Sequence, residues 1–195
     1  PIDLLARPAP IAAPALVVMD MDSTILAIEV IDELARMHGV GDAVAAITER
    51  AMRGELAFEA SLRARVRQLA GLPVAALAEL AGRLPLSPGA ATLIAALRAR
   101  GVVFAIASGG FTFAADVLVR ELGFAHAFAN TLGVADGALT GEVVGEVVTA
   151  ERKAEVVEAL RRQHGLDAAQ VIAIGDGAND RLMLAVAGLG VAFRP

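Results

Sequence analysis

Apolar residues gather in this chain into short unbroken runs that stop abruptly at polar or glycine-rich turns. Ala15 to Met19 halts at Asp20, Val102 to Ala107 at Ser108, and Val171 to Ile174 at Gly175. Runs this short and continuously apolar predict strands buried on both faces of a parallel sheet. Helical patterns fall between them. Pro88 to Arg100 has Ser87 as its expected N-cap, Pro88 in its first turn and Gly101 just past its end, the usual asymmetry of helix ends. Phe113 to Leu122 is stopped by Gly123, and Ala150 to His164 by Gly165. The alternation predicts an α/β fold, a Rossmann-like doubly wound parallel sheet with right-handed crossovers.

One stretch breaks the alternation. From Glu29 to Arg83 there is no strand signal, only four helical patterns punctuated by Gly39, Gly54, Gly71 and Gly82. The expected division is therefore a core of residues 15–28 and 84–195, a small helical insert of residues 29–83 after the first strand, and an N-terminal extension of residues 1–14. Ligands of such sheets bind beyond the carboxyl ends of the strands, so an insert leaving the first strand there can hang over the site as a cap. Asp136-Gly137, followed by the Val143 to Val148 run, predicts a small hairpin before the helix that carries Lys153.

Composition narrows the function. The chain has 195 residues, 56% of them hydrophobic, enough for a full core. A net charge of −5 with no Lys/Arg-rich run argues against nucleic-acid binding, since nothing would neutralise a phosphate backbone. There is no cysteine, which excludes disulfides and thiolate chemistry. The mean hydropathy of +0.63 raises the membrane question. Yet the longest charge-free stretches, such as Gly101 to Ala115, are too short and too interrupted to span a bilayer, so no membrane partner is expected. Pro1 to Pro14 lacks the basic and apolar regions of a signal peptide. Beginning at Pro1, the chain is expected to lack its native start.

The sharpest chemical signal is Asp20-Met21-Asp22-Ser23-Thr24, directly after the first strand. Side chains two apart in an extended segment share one side, so both carboxylates can enter one pocket. Such a pair calls for a cation or a proton between them, and an oxygen-only donor set suits Mg²⁺. A strand-end turn capped by Asp and Ser would read the same way. Gly175 to Asp180 supplies a second acidic cluster, with Asp176 and Asp180 on one side if a helix begins at once; an ordinary loop with an Asp N-cap is the alternative. Ser108-Gly109-Gly110-Phe111-Thr112 offers a hydroxyl and backbone N–H groups suited to a phosphate, or merely a glycine turn. Lys153 alone would be a solvated helix residue. His38, His126 and His164 have no partner at ligand spacing and receive no role.

Together these four segments resemble, in order and strand context, the motifs of haloacid dehalogenase-type phosphatases. The resemblance tightens to the phosphoserine phosphatases through Glu29, the Ile31-Asp32-Glu33 run, the stretch Ile47 to Val66, and the Ser-Gly-Gly-Phe-Thr and Gly-Asp-Gly-Ala-Asn-Asp turns, and spans Leu16 to Phe193. It implies hydrolysis of phosphoserine, the last step of serine biosynthesis, in the cytoplasm; the alternatives are another capped small-metabolite phosphatase or phosphotransferase of the same superfamily, with an identical core site, and a signalling module that accepts phosphate on Asp20 as a switch. By that resemblance Asp20 is the nucleophile and Asp22 the general acid and base. Mg²⁺ is held by Asp20, the Asp22 carbonyl and Asp176, with Asp180 in support. Ser108, Gly109 and Lys153 hold the phosphoryl oxygens, and Asn179 contacts substrate or phosphate. Glu29 pairs with the substrate amino group and Arg65 with its carboxylate, while Met52 and Phe58 close over it. The small-molecule substrate is the expected partner, and a homodimer is left open. Arg181 stands where the family more often has an apolar residue. After Phe193 the family usually continues through a further basic stretch and a closing strand, and many relatives carry an N-terminal regulatory domain. Trimming at both ends is therefore expected.

Overall fold

In the computed structural model, residues 12–194 are described, so most of the expected N-terminal extension lies outside them. Six strands form one sheet in the order β4-β3-β2-β1-β5-β6. They are β1 Leu16–Met19, β2 Val103–Phe111, β3 His126–Ala135, β4 Ala138–Val144, β5 Val171–Gly175 and β6 Leu189–Ala192. Of the pairs among these six strands, only β3–β4 is antiparallel. The central β1 is buried along its whole length, and each Leu, Val or Met side chain so buried contributes roughly 1.5–3 kcal/mol.

Among the described residues the α-helices are α1 Val30–His38, α2 Gly41–Met52, α3 Phe58–Gln68, α4 Val74–Ala81, α5 Ala90–Arg98, α6 Thr112–Leu122, α7 Ala150–Gln163 and α8 Arg181–Val186. The first four follow β1 without a strand between them. Their apolar faces and the main sheet share one core that includes Leu34, Leu62, Val66, Leu80 and Phe104. The segment before α4 also pairs with the hairpin: Gly71 N–H donates to the Leu139 carbonyl at 2.8 Å, and Leu139 N–H to the Leu72 carbonyl at 2.9 Å.

Several expected boundaries move. The strand predicted over Val102 to Ala107 runs on through the Ser-Gly-Gly segment to Phe111, with an irregular register against β3 between Ala107 and Phe111. Ser87 and Pro88 do not start α5. They belong to a turn closed by Ala90 N–H to Ser87 O, after which Gly89, at φ +87°, enters the helix. Pro88 fits a turn as readily as a first helical turn, and a glycine beside it takes the left-handed conformation that the turn requires. Asp136 and Gly137 have positive φ, as a two-residue hairpin turn demands, and the expected hairpin forms there, its returning strand being Ala138–Val144. The edge strand β6 is short and half-buried, too weakly patterned to predict. His126 at the start of β3 and His164 at the end of α7, expected to be partnerless, bring their Nε2 atoms within 3.4 Å, because the chain between them folds back.

Candidate active site

The carboxyl ends of β1, β2 and β5 open under α2 and α3 into a cavity of about 850 Å³. Asp20 leaves β1 still in the ladder, its N–H donating to the Ile174 carbonyl at 2.8 Å. Met21 then turns into the core while Asp20 and Asp22 both line the cavity, as side chains two apart in extended backbone should. The chain loops back at once. Leu26 N–H reaches the Met21 carbonyl at 2.8 Å, and Ser23 takes φ +55°. That loop lets the Thr24 hydroxyl donate to Asp176 Oδ1 at 2.7 Å, tying the first acidic cluster to the second.

Beneath Asp20 lies a buried ion network. Lys153 Nζ donates to Asp20 Oδ2 and to Asp180 Oδ1, both at 2.7 Å. Asp180 Oδ2 in turn accepts from the N–H groups of Asp176 and Gly177 at 3.0 Å each. Lys153 is fully buried. Burial opposes its charge, but Asp20 and Asp180 outweigh that and hold its pKa above the usual value. The expected helix does not begin at Asp176. A single tight turn, Ala178–Asp180, precedes α8, and Asp180 reaches the cluster by folding its carboxylate back over the loop.

Carboxylate oxygens of Asp20, Asp176 and Asp180 lie within 4.8 Å of one another. Of these three, Asp20 and Asp176 line the cavity and Asp180 does not, its oxygens being taken by Lys153 and the loop. Burial and then Asp20 raise Asp180 to about 6. Asp176 is raised by burial and by Asp20 against the Thr24 bond, and Asp22 well above the usual range by burial, Glu29 and Asp20. Mutual repulsion among recessed oxygen donors is what a hard divalent cation relieves, so the residues present fit Mg²⁺.

The wall from β2 brings Ser108, Gly109 and Gly110 to the cavity. A Cβ at Gly110 would sit 2.5 Å from the Met21 methyl and 3.0 Å from Asp22 Oδ2, and one at Gly109 would sit 2.9 Å from the Phe58 ring, so any side chain here would displace Met21, Asp22 or Phe58. Asn179 also lines the cavity. The roof supplies Glu29, Met52, Phe58 and Arg65. Met52 is 83% exposed at the mouth. Glu29 Oε1 accepts from the Ser23 hydroxyl at 2.5 Å. Burial, with Asp176 and Asp20, raises its carboxyl. Arg65 keeps a buried Nε without a partner, and burial lowers its pKa although Asp32, Glu29 and Asp22 pull it up. Of the predicted site residues, only Lys153 and Asp180 stand behind the cavity wall instead of lining it.

Sequence reasoning missed Asn130, whose buried amide bridges Gly109 and Val148, and Thr149, whose side chain caps α7. A polar residue in the apolar run around Asn130 was the available signal.

This fold and this carboxylate floor define a class of hydrolases. A family model of haloacid dehalogenase-like hydrolases matches residues 17–185, and the chain belongs to that family. A phosphoserine phosphatase of Archaeoglobus fulgidus is 49% identical over 178 residues, covering 91% of this chain and 52% of the relative. The chain thus spans about half that relative's length. A phosphoserine phosphatase of Idiomarina loihiensis is 47% identical over 91% of this chain and 81% of its own. Among solved structures, a phospho-aspartyl intermediate analogue of phosphoserine phosphatase superposes with a TM-score of 0.86 at 43% identity, covering 93% of this chain and 87% of that one.

Proposed function

We propose that this chain hydrolyses O-phospho-L-serine to L-serine and phosphate through an aspartyl-phosphate, the last step of serine biosynthesis, in the cytoplasm. The observation that carries the reading is one cavity with a phosphate-type floor at Asp20, Ser108 and Gly109 and, in its roof, an acid and a base of opposite charge, Glu29 and Arg65. A zwitterionic amino acid esterified to phosphate has the complementary pattern. Arg65 would take the carboxylate through its planar fork, and Glu29 the ammonium group.

The residues divide the work as follows. An Asp20 oxygen attacks phosphorus as the bond from phosphorus to the serine oxygen breaks, and Asp22 gives that oxygen a proton. Its unpartnered, buried Oδ1 and raised pKa suit it to carry one. In the second half-reaction Asp22 takes a proton from water, the water oxygen bonds to phosphorus, and the Asp20 carboxylate is released. Ser108 and the Gly109 amide hold phosphoryl oxygens where charge shifts in the transition state; Lys153, behind Asp20 with two of its three N–H groups on Asp20 and Asp180, turns the third to the same oxygens, and Asn179 contacts the substrate. Asp20, the Asp22 carbonyl and Asp176 would hold Mg²⁺, which would supply charge neutralisation between nucleophile and phosphate. Asp180 supports Asp176 through the loop N–H groups and keeps Lys153 in place. The insert of residues 29–83 acts as the cap that excludes water, with Met52 and Phe58 at its closing edge.

The test is phosphate release from L-phosphoserine against a panel of phosphorylated metabolites, with Mg²⁺ and with EDTA, for the wild type and Asp20→Asn. Metal-dependent preference for phosphoserine, lost in the variant, is expected. Turnover of other phosphates alone would keep the chemistry and remove the substrate. A stable phosphorylated Asp20 without turnover would point to a switch.

A further inference from the structure

We propose that Asn130 is a positioning residue that aims the phosphate-binding hydroxyl of Ser108 and holds the segment leading to Lys153 in register with it; this rests on the reading that Ser108, Gly109 and Lys153 hold phosphoryl oxygens. Asn130 is 1% exposed. Its Nδ2 donates to the Gly109 carbonyl at 2.7 Å and its Oδ1 accepts from Val148 N–H at 2.9 Å. Both partners are backbone groups of fixed polarity, so the amide has one orientation only.

The Gly109–Gly110 peptide is the part that matters. Its C=O is held by Asn130, and in a planar trans peptide the N–H must then point the opposite way. That N–H, on Gly110, donates to Ser108 Oγ at 3.0 Å. The serine oxygen is thus occupied by a donor from behind, and its own O–H is left to donate outward, into the cavity that Ser108 lines. A phosphate offers only acceptors when fully ionised, so this is the polarity a phosphoryl oxygen requires.

The place of Asn130 in the sheet explains why a side chain does this. β2 and β3 pair regularly through Ala107–Phe128 and again at Phe111–Asn130, with the register shift between. Within that irregular stretch the carbonyl of Gly109 is taken by a side-chain amide of the neighbouring strand. The other end of the same amide fixes Val148, next to Thr149. Thr149 caps α7 through Arg152 N–H at 3.3 Å and accepts Lys153 N–H on its carbonyl at 2.9 Å. One buried side chain therefore couples the two segments that bring Ser108 and Lys153 to the phosphate.

The test compares wild type, Asn130→Ala and Asn130→Asp by three readouts: calorimetric affinity for inorganic phosphate with Mg²⁺, kcat on phosphoserine from pH 5 to 8, and thermal unfolding. Asn130→Ala, folded at the assay temperature, is expected to lose roughly 10- to 100-fold in phosphate affinity and kcat, the range found when outer partners that orient ligands are removed. Asn130→Asp carries the sharper signature. Its ionised carboxylate still accepts from Val148 but cannot donate to Gly109, whereas its protonated form can do both. Its kcat relative to wild type should therefore climb as pH falls at temperatures where thermal unfolding shows both proteins fully folded throughout, so that the gain lies in the site and not in the folded fraction. Wild-type phosphate affinity and kcat in Asn130→Ala, or a pH-independent deficit in Asn130→Asp, overturns the proposal. A wild type that binds phosphate but leaves phosphoserine intact would sink the substrate reading and still decide Asn130 through phosphate affinity. A wild type that binds no phosphate overturns both.

Discussion

At the scale of single residues, Lys153 holds together the ion network beneath the cavity floor. As one of 17 basic residues it had a solvated helix face as its default. In the fold it is fully buried, with Asp20 and Asp180 each 2.7 Å away. Breaking a buried ion network from one side leaves uncompensated charge and typically costs about 3–5 kcal/mol. Lys153→Met, similar in length and apolar, should lower unfolding free energy by that order in a urea titration with EDTA present. It should also abolish phosphate release. A loss well under 1 kcal/mol would mean the carboxylates do not converge on the lysine in solution. The acidic residues were easier to foresee, because alternation in an extended segment puts Asp20 and Asp22 on one side whatever the tertiary fold. That Asp180 would spend both oxygens on Lys153 and the loop N–H groups was beyond any local rule.

Among the elements, β3 and α7 meet at a pair of histidines whose contact makes stability depend on pH. His126 and His164 stack edge to face with centroids 5.7 Å apart. Burial, and then the charge of His164, lower the His126 pKa. A base with a depressed folded pKa favours the neutral form. Its contribution is therefore complete above the unfolded value of about 6.5 and is lost as pH falls through that value toward the folded one. Thermal midpoints measured from pH 7.5 to 5 with saturating Mg²⁺, which masks the opposing titration of the acidic floor, should fall less in His164→Asn than in the wild type, because the variant removes the opposing charge. An unchanged slope in the variant would sink the assignment. The core elements followed from their patterns because short apolar runs and glycine stops are local signals. The continuation of β2 through Ser108–Phe111 did not, since it depends on pairing with β3 and on the Asn130 amide. The small edge strand β6 escaped for a similar reason, being ordered by β5 more than by its own composition.

For the molecule as a whole, the acidic floor predicts linkage between metal, protons and stability. Raised carboxyl pKa values at Asp22, Asp176 and Asp180 mean that, without a cation, the folded state carries a repulsion that is relieved as pH falls through about 6, the value for Asp180. A cation relieves it at neutral pH instead. Mg²⁺ at about 100 times its Kd should add about 2.7 kcal/mol, read as a rise in thermal midpoint at pH 7.5 that EDTA reverses. The rise should shrink toward pH 5 as protons compete, and Asp176→Asn should weaken it at every pH; a metal effect that grows on acidification would contradict the assignment. The alternating core, the helical stretch after β1 and the residue types at each strand end are legible along the chain, because burial period, turn chemistry and i,i+2 geometry are local. Only the tertiary structure decided which polar atoms pair: the Lys153 network, the Thr24 bond to Asp176, the histidine contact and the Asn130 bridge. Each joins segments far apart in the chain, and the partner of a buried polar group is set by the packing that removes its water.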